Sequence, residues 1–319
     1  MFTQQDIEFH APATSDPLWA ETNYFGFYIP EERIKGGIHV TFRPNLGMVN
    51  SSVHVFQGYA RNHFEAAYAD YRSNLPMPKS GLADYSLDNG LRVQAPSLMA
   101  YKIDYSGYGN TEIHITFEGL MPPYDIHDPE MDPIAARQKG KEFSLGGIYS
   151  NHFDQTGHVK GELRLKGKTY RVDCVAIMDH SWGIRPETQC PRMCWFQANF
   201  SRDLAFHCMF GFEPYENDLL TPLQHGYVME AGKVYGLRDG KGISRRDGFQ
   251  QTSVKVEVED VRGKHFQLTG SAIATYPWNA YPNFCVFTSL NEWNLDGRIG
   301  YGESQDVLTI PYIIGERPR

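Results

Sequence analysis

Apolar and polar side chains alternate along several short stretches of this chain, and this period of two is the feature that most constrains its fold. In residues 111–118, Ile113, Ile115 and Phe117 fall on one face of an extended chain and the polar residues fall on the other. A strand with one buried face and one solvated face has this pattern. The stretch therefore predicts a half-buried β-strand.

Two further stretches carry the alternation through a turn. Residues 162–174 turn at Lys166-Gly167-Lys168, and residues 254–268 turn at Arg262-Gly263-Lys264. Alternating runs on both sides of a short glycine-containing turn predict β-hairpins. Helical spacing is convincing only in residues 64–71, where we predict a short helix.

Composition supports an all-β fold with few short helices. Aromatic residues make up 13% of the 319 residues, and the chain has 30 glycines and 19 prolines, which favours sheets joined by tight turns. Single cores rarely grow past about 250 to 300 residues, so the length predicts two domains. We predict an N-terminal β domain over residues 1–178 and a C-terminal β domain over residues 179–319, with a ligand pocket where the two domains meet.

The charge balance argues against nucleic acid as a partner. The formal net charge is −8, and no basic run is longer than Arg245-Arg246, whereas nucleic-acid affinity depends on clustered Lys and Arg. The amino terminus lacks the pattern of a secretory signal, and no run of about 18 apolar residues suggests a membrane span. We therefore expect a cytoplasmic protein without a membrane span, whose oligomeric state the sequence does not indicate.

No cofactor and no metal are predicted. Cys190 and Cys194 have no second Cys or His pair near them at zinc-site spacing, and His152 and His158 flank a predicted turn. Nucleotide-binding glycine motifs and nucleophile elbows are absent from the sequence. The five cysteines are an odd number without a secretory signal, so we expect them to be reduced.

The greatest density of chemical groups lies in residues 178–185, which read Met-Asp-His-Ser-Trp-Gly-Ile-Arg. If the segment is extended, alternation directs Asp179 and Ser181 to one side, and His180 and Trp182 to the other. The acid and the imidazole therefore need not face the same cavity.

The run Asp-His-Ser-Trp-Gly at 179–183 resembles the hallmark of the carotenoid 1,2-hydratase (hydroxyneurosporene synthase) superfamily. Three other stretches resemble the same proteins, so the resemblance spans most of the chain: residues 19–27, 43–47 and 297–303. The resemblance implies two tandem lipocalin-like antiparallel β-barrels. It also implies relatives that add water to isolated alkenes or rearrange polyene and terpenoid substrates. Many relatives carry Arg where this chain has Met178, so a salt bridge available to them is missing for Asp179.

Hydration of an unactivated alkene requires a strong proton donor in an apolar cavity and aromatic faces that shelter a carbocation. Asp179, held neutral by burial, is the candidate general acid, and His180 is the candidate that positions or deprotonates water. Arg185 opposes this role, because a nearby cation would lower the pKa of Asp179. The candidate substrate-binding residues are Trp182, Arg185, Trp195, Phe200, His207 and Trp278.

The sequence therefore favours a cofactor-free hydratase or dehydratase, or a related isomerase or cyclase, acting on an apolar terpenoid, polyene or similar natural-product-like molecule. Two alternatives stay open. The 179–185 segment is also compatible with a purely structural role, in which Asp179 accepts backbone hydrogen bonds and Trp182 plugs the interface between the two domains. A lipocalin-like barrel also binds a hydrophobic small molecule as a carrier or sensor without any catalytic group. Substrate and reaction direction do not follow from the sequence.

Overall fold

The computed structural model describes residues 2–138, 151–213 and 218–315. The described residues belong to two compact units. The first unit is drawn from Met1–Val55, Ala67–Asp125 and Tyr149–Arg185, and the second from Phe56–Ala66, Ile126–Ile148 and Pro186–Arg319.

The first unit is one antiparallel sheet. Its strands, β1 to β11 in chain order, are Trp19–Ile29, Ile34–Arg43, Met48–Gln57, Tyr68–Pro76, Asp84–Ser86, Leu91–Ser97, Ala100–Ser106, Glu112–Gly119, Tyr124–Asp125, Asn151–Leu165 and Lys168–Ile184. Their order across the sheet is β4-β3-β2-β1-β11-β10-β8-β7-β6-β5, and β9 pairs with β10. The division predicted between residues 178 and 179 falls within β11.

This sheet curls so that strands far apart in its order meet over a shared core. Phe42 on β2 contacts Tyr85 on β5 with ring centroids 5.1 Å apart. The hydroxyl groups of Tyr68 on β4 and Tyr105 on β7 lie 2.5 Å apart. The apolar residues that alternation assigned to one face therefore pack inside the curl, including Ile113, which is fully buried.

The second unit is a closed antiparallel barrel. Its strands, β12 to β19, are Met193–Ser201, Leu204–Phe212, Leu219–Glu230, Lys233–Asp247, Gln250–Asp260, His265–Tyr281, Phe284–Leu295 and Arg298–Thr309. Pairing of β12 with β19 closes the barrel. Aromatic and aliphatic side chains fill the core, where Trp293 stacks on Phe196 at 4.9 Å.

Helices in the described residues are short. They are α1 (Pro133–Arg137), α2 (Ile310–Gly315) and the 3-10 helices Gln4–Ile7, Pro30–Glu32, Pro44–Leu46, His63–Glu65 and Glu187–Gln189. The helix predicted over residues 64–71 was wrong. Only a 3-10 turn forms at His63–Glu65, because Tyr68 already pairs with Val55 as the start of β4.

The all-β fold predicted from alternation is confirmed. The predicted strand in residues 111–118 is β8, and the two predicted hairpins are β10–β11 and β16–β17. Lys166 and Gly167 form the β10–β11 turn with φ of 51° and 85°. Two consecutive positive φ angles match the twist of antiparallel strands and explain the glycine at the second position.

None of the helices within the described ranges has both the length and the apolar character needed to cross a bilayer. None of the five cysteines forms a disulfide, and all five are buried. Burial raises the pKa of Cys174 to about 12, so this thiol stays protonated and unreactive at neutral pH.

Candidate functional site

Strand β11 places residues 179–184 inside the sheet of the first unit, between β1 and β10, and Arg185 follows directly. Alternate side chains point to opposite faces, as predicted. The hydroxyl oxygens of Ser181 and Thr22 lie 2.8 Å apart on one face, and the rings of His180 and Trp182 lie 5.0 Å apart on the other. We call these two surfaces the Asp179 face and the His180 face.

The Asp179 face brings two carboxylates together. Asp179 pairs directly with Asp154 on β10 and with Tyr24 on β1. Asp154 is fully buried and Asp179 is half-buried. The Nε2 atom of His152 lies 3.1 Å from Asp154 Oδ2. Burial favours the neutral form of His152, but the charge and hydrogen bond of Asp154 and the charge of Asp179 outweigh burial and raise its pKa.

Two buried cations lie on the same face. Lys35 Nζ donates a hydrogen bond of 2.5 Å to the Tyr24 hydroxyl, and an Arg185 amino group donates one of 2.7 Å to Ser181 Oγ. Both residues are only 1% exposed. Such complete burial is rare for Lys and Arg unless they are paired.

Burial and these cations lower the pKa of two nearby imidazoles. Burial, reinforced by the charge of Arg185, lowers the pKa of His39 to about 3. Burial together with the charges of Lys35 and His39 lowers the pKa of His54 well below its usual value. Titratable groups perturbed by both burial and specific charges concentrate at functional sites, so the Asp179 face is the candidate active site of the first unit.

We expect His152 to give the protein a distinct pH dependence of stability. A histidine with a raised pKa in the folded state stabilises the fold fully below the unfolded value of about 6.5 and loses this contribution as pH rises through the folded value. The free energy of unfolding should therefore fall more steeply in the native chain than in His152→Gln as the pH rises above about 6.5. Urea unfolding at each pH measures this difference, and parallel profiles would contradict it.

The His180 face carries a second polar cluster that the sequence analysis did not find. His180 Nε2 lies 2.9 Å from Glu21 Oε1, and His10 Nδ1 lies 2.7 Å from the same oxygen. The His10 ring stacks on Trp182 at 3.6 Å. His180 and Asp179, which we paired as catalytic candidates, thus belong to different faces of the sheet.

The remaining predicted site residues lie in the barrel unit. Trp195 and His207 contact each other with ring centroids 5.1 Å apart, and His207 Nε2 lies 3.4 Å from His225 Nε2. Phe200 instead packs toward the barrel core, against Phe206. Trp278 is buried in β17. The structure therefore brings Trp195 and His207 together and directs Phe200 elsewhere.

The barrel unit also contains a cavity of about 880 Å³. Apolar side chains form much of its wall, among them Phe249, Phe287 and Ile313. Arg61 and His63 add polar groups. Burial lowers the pKa of His63, although a hydrogen bond to Asn279 partly opposes this effect. A cavity of this size matches the volume of small-molecule sites.

Fold and site together define an all-β protein with a lipocalin-like barrel and a sheet face rich in buried ionisable groups. The chain belongs to the family described as Domain of unknown function (DUF7064), whose sequence profile matches residues 3–306. A search of curated proteins returned no match.

Several solved structures share the fold over nearly the whole chain. A protein assigned as AttH from Nitrosomonas europaea has a TM-score of 0.59 and 13% identity, covering 95% of this chain and 96% of its own. Kievitone hydratase from Nectria haematococca has a TM-score of 0.57 and 10% identity, covering 97% and 96%. CghA has a TM-score of 0.55 and 10% identity, covering 91% and 88%. At these identities the similarity shows the fold alone.

Proposed function

We propose that the protein is a hydratase, or a related cyclase or isomerase, that acts on a small molecule by acid catalysis at the Asp179 face. One observation carries the proposal: Asp179 lies directly opposite Asp154, which contacts His152. Asp154 is fully buried, whereas Asp179 is half-buried. Asp179 is therefore the carboxyl group that a bound molecule reaches.

The charges of this trio favour a proton on one carboxyl group. Two carboxylates opposite each other in a sheet repel, and ionisation of one opposes ionisation of the other. The cationic form of His152 compensates one negative charge, which leaves the second carboxyl group as the place for a proton. A neutral Asp179 would protonate a double bond to begin hydration or cyclisation, or protonate a leaving hydroxyl group in the reverse direction.

Tyr24 and Lys35 add a site for a substrate oxygen. The Tyr24 hydroxyl accepts a hydrogen bond from the buried Lys35 ammonium group, and an acceptor polarised in this way is a stronger donor in turn. Tyr24 neighbours Asp179 across the strand pair. The sequence favours an apolar terpenoid, polyene or similar molecule, and this hydroxyl favours one that also carries a hydroxyl or carbonyl oxygen.

The comparisons support this class of reaction. One structure of the same fold is named kievitone hydratase, and the Asp-His-Ser-Trp-Gly run resembles the carotenoid 1,2-hydratase superfamily. We propose that this chain is a distant relative of that superfamily. One fold can support many different reactions. The Asp179 face, and not the shared fold, is therefore the basis for proposing catalysis.

A direct test is incubation of the purified protein with oxygenated terpenoids and oxygenated polyenes in water enriched in heavy oxygen, followed by mass spectrometry. We expect at least one compound to gain one water carrying the label, to lose one water, or to rearrange without a mass change. Absence of any turnover across both classes, in protein shown to bind members of them, would contradict the proposal.

The barrel cavity favours a second candidate function, the binding of a hydrophobic molecule by a carrier or sensor. An Ile313→Arg substitution would place a charge in the cavity wall. If the cavity is a carrier site, this variant should lose affinity for a fluorescent apolar probe at least about tenfold, while Asp179→Asn binds normally. Equal affinities in both variants and the native chain would count against the cavity as the binding site.

A further inference from the structure

The cluster on the His180 face has the composition of a metal site. His10, Glu21 and His180 each offer one ligand atom, and these three atoms all lie within 4.8 Å of one another. We propose that these three side chains bind one divalent transition-metal ion of the Zn²⁺ type, which fastens the amino-terminal segment to the sheet. The proposal is independent of the Asp179 face and of the reaction proposed there.

The sheet holds two of the three ligands rigidly. Glu21 lies on β1 and His180 on the neighbouring β11, and their side chains are 0% and 1% exposed. His10 comes from the segment that precedes β1 and is 22% exposed. The partly exposed His10 offers the ion a path of entry to the two buried ligands.

The surrounding contacts orient His10 and Glu21 as a metal site requires. The other ring nitrogen of His10, Nε2, lies 3.4 Å from Asp6 Oδ1. Thr3 fixes Asp6 through its backbone N–H and its hydroxyl group. Histidine ligands of metals usually donate their second N–H to a carboxylate in this way. The His10 backbone N–H donates to Glu21 Oε2 at 3.1 Å, which turns the other oxygen toward the two imidazoles.

An aromatic wall completes the site. Trp182 lies flat against the His10 ring, at 3.6 Å and an interplanar angle of 6°. Phe153 contacts His180 edge-on at 5.4 Å. These rings restrict the motion of both imidazoles and limit the access of water, which strengthens metal binding.

The donor set selects the class of ion. Two imidazole nitrogens and one carboxylate oxygen suit Zn²⁺, Co²⁺, Ni²⁺ or Fe²⁺, whereas Mg²⁺ and Ca²⁺ prefer oxygen ligands alone. The same atoms form a hydrogen-bonded trio without the ion, in which Glu21 Oε1 faces both imidazoles. Binding would replace the shared protons and release them to solvent.

The test uses the full chain purified without a polyhistidine tag, stripped with a chelator and titrated with Co²⁺. We expect one equivalent to bind, with the visible absorption of Co²⁺ held by nitrogen and oxygen ligands and an increase in melting temperature. Zn²⁺ should displace the Co²⁺ and abolish the absorption. Failure of the native chain to bind one equivalent would overturn the proposal.

Variants separate this site from other histidines. His10→Ala removes a partly exposed ligand and should weaken binding at least about hundredfold, and Asp6→Asn should weaken it about 10–100-fold. His114→Ala is the matched control, because exposed His114 lies 2.8 Å from Asp104 and 3.6 Å from Glu112. Unchanged binding in His10→Ala, or lost binding in His114→Ala, would refute the assignment. Asp179→Asn should bind Co²⁺ normally whatever its activity.

Discussion

Replacing Asp179 with Asn is expected to lower turnover of the substrate by about a hundredfold or more, while the melting temperature stays close to that of the native chain. Asn keeps the size of the side chain and much of its hydrogen bonding but has no carboxyl proton to transfer. Asp179 is half-buried and faces Asp154, and the neutral amide of Asn takes the place of the neutral carboxyl group opposite Asp154. Melting temperature, ligand affinity and turnover should be measured on one preparation.

Asp173→Asn is the matched control for this experiment. Asp173 lies on the same strand, β11, but is exposed, where it contacts His158 and Arg171. We expect its substitution to leave turnover unchanged. If Asp179 has only a structural role, Asp179→Asn should instead lower stability, and the loss of activity should follow unfolding.

Full activity in a stably folded Asp179→Asn variant would exclude Asp179 from the mechanism. The other catalytic candidate is His180, the group predicted to position or deprotonate water. In the structure His180 lies on the opposite face of the sheet, beside Glu21. A reaction that depends on His180 would therefore use the His180 face, and His180→Gln would then abolish turnover while Asp154→Asn leaves it intact.

Local patterns in the sequence predicted the strands, because a strand with one buried face alternates apolar and polar residues within a few consecutive positions. Alternation in residues 111–118 and around Gly263 was sufficient for β8 and for the β16–β17 hairpin. It was also sufficient to separate Asp179 from His180. The helix predicted over residues 64–71 failed because pairing of Tyr68 with β3 outweighs a weak helical spacing.

The cross-strand partner of Asp179 could almost be predicted from the sequence. The turn was predicted as Lys166-Gly167-Lys168, but Leu165 pairs with Lys168, so the turn has only two residues. Counting outward from that pair along an unbroken hairpin places Asp154 opposite Asp179. An uncertainty of one residue in the turn moves every side chain to the other face, which is why the carboxylate pair was not found.

The cluster of His10, Glu21 and His180 could not be predicted from the sequence. Glu21 is 11 residues from His10 and 159 residues from His180 along the chain. Pairing of β1 with β11 joins the two ends of the first unit, and no local turn sets its register. The expectation of no metal was based on ligand spacing in the sequence, and spacing carries no information about ligands on strands so far apart.

Replacing Gly302 with Ala is expected to destabilise the barrel unit by about 3 kcal/mol or more, because the backbone leaves no space for a side chain. Gly302 lies in the 297–303 stretch that resembles the hydratase superfamily, on β19. A Cβ atom at this position would overlap the carbonyl oxygen of Gln197 on β12. Pairing of these two strands closes the barrel. The strands would have to move apart to relieve the overlap, and this movement would open the barrel.

Chemical denaturation of the two variants Gly302→Ala and Gly315→Ala tests this account of the glycine. Gly315 is an exposed residue at the end of α2, with no heavy atom within 4 Å of the position that an added Cβ atom would take. Its substitution should change the free energy of unfolding by less than about 1 kcal/mol. Equal stability of the two variants would show that β12 and β19 can separate without cost. A large loss in Gly302→Ala alone would explain the glycine in this stretch by barrel closure, with no catalytic role required.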